Sequence, residues 1–99
     1  WKDIKYLCNF IKNHTSNINF AFEIGVKLGK TSYHRNKPFY QDMYNKLETE
    51  NDALEVMANC WLAEEDQVRL IYDNYDIIDL RIGWSKGFLD ALFPMRDLC

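Results

Sequence analysis

No stretch of this sequence approaches the roughly 18 to 20 apolar residues that a membrane-spanning helix needs. Its first residues also lack the charged-then-apolar pattern of a secretory leader, so a domain that acts in solution, without a membrane, is expected. Paired cysteines are missing as well. Cys8, Cys60 and Cys99 are odd in number, widely spaced and never arranged as CxxC, which argues against a disulfide framework and for buried thiols in a reducing, cytoplasmic compartment. Asn13-His14-Thr15 fits the glycosylation acceptor pattern, but an asparagine-rich chain produces that by chance. Neither histidine, His14 or His34, has a ligating residue at zinc-site spacing, so no metal or other cofactor is expected.

A catalytic constellation is also lacking. Cys8 or Cys60 would make a nucleophile pair with a histidine only if the fold joined them, and burial alone explains each thiol. Carboxylates gather at Glu64, Glu65 and Asp66 and again at Asp73, Asp76 and Asp79; solvated helix faces account for both groups. The chain is read as non-enzymatic.

What is present is core material. Of the 99 residues 47% are hydrophobic and 15% aromatic, enough to build one domain around one core and too few for two. Residues 1–99 are therefore expected to form a single helical domain, and Trp1 in place of methionine suggests an excerpt of a longer chain.

Residues 24–32, IGVKLGKTS, end in a run that imitates a phosphate-binding loop, which needs a strand, GxxxxGK[ST] and then a helix. Only three residues separate Gly25 from Gly29, and Ile24 occupies the place reserved for glycine. Two periodicities compete here. Ile18, Phe20, Phe22, Ile24, Val26 and Leu28 alternate as in a strand, while Ser16, Asn19, Glu23, Lys27 and Lys30 fall on one polar helical stripe. The helix is preferred because its ends are marked, by Thr15 or Ser16 as N-cap and Gly29 as the residue past the C-terminus. Lys30 and Thr31 would then meet the negative end of the helix dipole, which repels phosphate.

Further helices follow from the same periodicity. One spans 2–13, with Trp1, Ile4, Leu7, Cys8 and Ile11 on its apolar stripe, and a second spans 16–29. After a polar loop, TSYHRN, Pro38 opens a third helix over 38–48, with Phe39, Tyr40, Met43, Tyr44 and Leu47 on one face. A fourth is capped by Thr49 or Asn51 and turns Leu54, Met57, Cys60 and Trp61 inward. Residues 63–67 are a break or an exposed turn, and Val68, Ile71, Tyr72 and Tyr75 resume the pattern. The last helix covers 76–93 and stops at Pro94. The fold class expected is all-α, a compact bundle of five or six helices. Residues 77–85 also alternate, so the alternative is an α+β fold in which 18–28 and 77–85 pair as a small antiparallel sheet under the helices.

One echo links the two ambiguous stretches. Ile24-Gly25-xxx-Gly29 recurs as Ile82-Gly83-xxx-Gly87. Each helical glycine costs about 1 kcal/mol relative to alanine, and close packing of the second helix on the last explains a cost incurred so often.

Charge is polarised along the chain: through Lys46 there are eight Lys or Arg against three Asp or Glu, and from Leu47 four against twelve. Mutual neutralisation of packed halves is the plain reading; a charged partner is the functional one. The partner expected first is another protein, or a second copy, held on an aromatic and acidic surface made of Trp61, Tyr72, Asp73, Tyr75, Asp76, Asp79 and Trp84. The alternative is nucleic acid, gripped by a basic loop at 27–37 through Lys27, Lys30, His34, Arg35 and Lys37, with Tyr33 stacking on a base.

Overall fold

A computed structural model describes residues 20–93 as three α-helices, α1 (Phe20–Asn45), α2 (Glu50–Ile71) and α3 (Ile77–Leu92). The helix expected at 2–13, the Asn13-His14-Thr15 pattern, Cys8, Cys99 and Pro94 lie outside the described residues. The architecture is all-α, but a bundle of three helices and not of five or six. No strand occurs among the described residues, so the sheet of the α+β alternative is excluded: both alternating stretches are helical wherever they are described.

The helix count falls because two expected breaks are not breaks. The described part of the helix expected at 16–29, the polar loop after it and the helix expected at 38–48 up to Asn45 form the single helix α1, while residues 16–19 and the Thr15 or Ser16 cap lie outside the described residues. Gly29 does not end a helix, since no glycine has the positive φ that a terminating glycine adopts. The TSYHRN segment stays helical because one side of it is in the core: Ser32 and Tyr33 are buried, and the Asn36 side-chain amide donates to the Ser32 carbonyl at 2.9 Å. Pro38 lies within this helix and lacks the N–H that would bond back one turn; α1 bends there, with Tyr40 at φ −114°, ψ 19°.

Residues 63–67 likewise continue α2. That helix begins with a reciprocal capping box, in which Thr49 Oγ1 accepts from the Asp52 amide at 3.2 Å and Asp52 accepts from the Thr49 amide at 3.1 Å. Asp76 caps α3 by accepting from the Ile78 amide at 2.7 Å.

Short connections make α2 antiparallel to both neighbours, so α1 and α3 run parallel. They share by far the most extensive helix contact of the described residues, and glycine is the reason. A Cβ on Gly25 would run into the Leu80 carbonyl, three residues before Gly83; one on Gly83 would meet the Phe22 carbonyl, three before Gly25. Gly29 and Gly87 repeat the exchange with the carbonyls of Trp84 and Val26. The sequence echo is thus a quasi-twofold helix pair. Each glycine Cα–H takes the place of a side chain and points toward a carbonyl oxygen, a contact that contributes roughly 0.5–1 kcal/mol.

α2 closes the core with larger side chains. An unbroken series of ring contacts runs from Tyr40 through Tyr44, Tyr33, Phe88 and Trp84 to Trp61, with centroids 5.1–6.4 Å apart, and joins all three helices. Beside it lies a polar flaw. The Tyr44 hydroxyl is buried and has no hydrogen bond of acceptable geometry among the described residues; of the polar groups that act on it, the buried Cys60 thiol, a weak partner, comes before Tyr33 and Tyr40. Burial, reinforced by Cys60, pushes the Tyr44 pKa up, and burial also raises that of Cys60 against the opposing effects of Tyr44 and Arg35.

Both groups hold their protons to higher pH when folded than when unfolded. Their contribution to stability is complete below the unfolded pKa values, near 9.0 for Cys60 and 10.0 for Tyr44, and declines as pH rises above them. Tyr44→Phe is therefore expected to raise stability by about 1 kcal/mol at neutral pH and to flatten the fall above pH 10. Urea titrations from pH 7 to 11 would show it, and a variant less stable than the parent at pH 7 would contradict it.

Candidate functional site

The two predicted binding clusters fare differently. In the aromatic and acidic set, Trp61 and Trp84 are 2% and 1% exposed, and their rings meet edge to face at 5.4 Å. They are core residues and offer a partner no exposed anchor. The remaining members stay together at the corner where α2 turns into α3. Tyr72 is half-buried with its ring 6.4 Å from that of Tyr75, Asp73 and Asp76 are exposed, and Asp79 is half-buried in the first turn of α3. Asp76 also serves as the α3 cap.

Three apolar side chains to which periodicity gives no binding role, or which it turns inward, complete this corner. Leu70 and Ile71 are 80% and 69% exposed at the end of α2, and Ile78 is 57% exposed at the start of α3. Leu62, two turns before Leu70 on the outer side of α2, is 67% exposed. Leu62 and Leu70 fall outside the Leu54, Met57, Trp61 and Val68 stripe, which is a legible signal; Ile71 and Ile78 fit apolar helical patterns, so periodicity gives no sign of their exposure.

A cleft of about 120 Å³ opens beside the corner, with Leu28 and Arg35 of α1 on one side, Ile71 and Tyr72 on the other, and Trp84 and Glu64 also lining it. Glu64 joins the three helices. It is paired with Arg35 and accepts a hydrogen bond from the Trp84 indole N–H at 3.2 Å, which gives that buried donor the partner it requires. Arg35 comes from the basic half of the chain and Glu64 from the acidic half, so part of the charge asymmetry is neutralised internally.

The basic set is dispersed. Residues 27–37 are helical, not a loop. Tyr33 is 7% exposed, with edge contacts to Tyr44 and Phe88, so it is not a free stacking platform. Arg35 is engaged by Glu64, and Lys37 lies 5.7 Å from the centre of the Tyr33 ring. Lys27, Lys30 and His34 remain exposed along one side of α1. Lys30 and Thr31 lie in mid-helix and not past a C-terminus; amides there bond within the helix and form no phosphate cradle.

A second apolar corner was not anticipated as surface. Of the face assigned to Phe39, Tyr40, Met43, Tyr44 and Leu47, only Tyr44 is buried; Phe39, Met43 and Tyr40 are 81%, 46% and 38% exposed. The backbone leaves helical geometry within this face, at Tyr40, two residues past Pro38.

Among the described residues, no cluster of His, Cys, Asp and Glu could hold a metal ion, and no helix is long and apolar enough to cross a membrane. No family model matches the chain, and no curated protein or solved structure matches it. The functional reading therefore rests on surface geometry.

Proposed function

We propose that this domain binds another protein through the α2–α3 corner, acting as a regulator, inhibitor or accessory module. The observation that supports this reading is the exposure of Leu70, Ile71, Tyr75 and Ile78 within nine residues of chain, at 80%, 69%, 40% and 57%. Large apolar side chains gathered in water and rimmed by charge are the usual composition of a docking surface. Tyr72 and Tyr75 supply rigid anchors, Asp73 and Asp76 a solvated acidic rim, and the adjoining cleft a recess for one inserted side chain.

The test is affinity capture from the native cell with the parent domain and with Leu70→Ser/Ile78→Ser. The parent is expected to retain a partner that the double variant loses by about tenfold or more. Because both positions are exposed, the variant should unfold within about 1 kcal/mol of the parent. Equal capture by the two proteins would sink this reading. Nucleic acid, retained equally by both and lost on Lys27→Glu/Lys30→Glu, would transfer the function to the exposed side of α1.

A further inference from the structure

The second corner carries an inference independent of the first. α1 bends near Pro38, and Phe39 is 81% exposed. Phe39 and Met43 line one open surface pocket, and Met43 also lines a second, a groove of about 320 Å³ between the end of α1 and the start of α2 formed with Leu47 and Val56, with Lys46, Asp52 and Glu55 around it. A large apolar knob and an apolar recess thus belong to one patch, and the charges around the recess are of both signs. Such a patch is complementary to itself, the condition for an isologous twofold contact in which residue i of one subunit meets j of the other and j meets i.

We propose that a second copy of this chain docks here, with Phe39 of each copy entering the Met43–Leu47–Val56 groove of the other. Lys46 of one copy would face Glu55 or Asp52 of its partner across the twofold axis, which favours this register over a slipped one. α2 is 22 residues long, so the corner that begins at its far end is roughly 30 Å away. Dimerisation would leave both copies of the α2–α3 corner open.

Sedimentation velocity from micromolar to near-millimolar concentration decides the matter. The parent domain should shift from monomer to dimer, and Phe39→Ala should raise the dimer dissociation constant by about tenfold or more. Measured at a concentration where the parent is monomeric, its melting temperature should not change, since Phe39 is 81% exposed and contributes little to the core. Leu70→Ser/Ile78→Ser should dimerise as the parent does. A parent that stays monomeric over the whole range overturns the proposal, as does a Phe39→Ala variant that dimerises as tightly as the parent.

Discussion

Gly29→Ala is expected to destabilise the domain by about 3 kcal/mol, although alanine is favoured over glycine within a helix by about 1 kcal/mol. The added methyl would collide with the Trp84 carbonyl oxygen and stand 2.8 Å from its carbon and 2.9 Å from the Phe88 amide nitrogen. These are backbone atoms of α3, so no rotamer change relieves the overlap; the two helices must separate. Separation also loosens the reciprocal contact at Gly87, where a Cβ would stand 2.8 Å from the Val26 carbonyl carbon. Gly25→Leu and Gly83→Leu should be worse, because a larger side chain meets the same backbone.

For a domain of this size, 3 kcal/mol corresponds to a fall in melting temperature of roughly 12–24 °C. Lys30→Ala, one residue away on the exposed side, should change stability by less than about 0.5 kcal/mol. Thermal unfolding of the pair, followed by circular dichroism, separates close packing from helix propensity. If Gly29→Ala melts as high as the parent, the glycine contact between α1 and α3 is wrong.

Trp84→Ala should lower stability by about 4 kcal/mol, enough to leave little folded protein where total stability is roughly 5 kcal/mol. The indole is 1% exposed, stacks on Phe88 at 5.1 Å, meets Trp61 edge on and donates to Glu64. Its loss leaves a cavity where all three helices converge and removes the Glu64 contact as well. Glu64→Ala tests the polar part separately. It strands the indole N–H and frees Arg35, whose side chain is 60% exposed and can be hydrated, so a loss of about 1–2 kcal/mol is expected. Because the two side chains touch, Trp84→Phe and Glu64→Ala should not be additive in a double-mutant cycle. Strict additivity in urea unfolding would remove Glu64 as the residue that ties the helices together.

The α3 boundaries, the α2 cap as one of Thr49 or Asn51, and the inward face formed by Leu54, Met57, Cys60 and Trp61 are legible in the sequence, because caps and periodicity are local properties; the structure selects Thr49. The glycine contact is legible too, since four glycines at matched helical spacing have few other uses. The number of helices is not. Ser32 and Tyr33 look like loop residues until Phe88 is placed against Tyr33, and Gly29 looks like a helix end until α3 is seen to require its missing side chain.

The surface is hidden from the sequence for the same reason. Trp61 and Trp84 resemble exposed anchors by residue type, whereas Phe39 and Ile78 resemble core by periodicity, and their positions are the reverse. The amino-acid order of this chain determined the helical fold class and the close approach of the two glycine-bearing segments, both of which follow from short-range spacing. Only the tertiary structure decided which apolar faces are covered, because covering depends on how far each helix extends past its neighbours and where Pro38 bends α1, and a periodic pattern along one helix holds no information about the length or position of another.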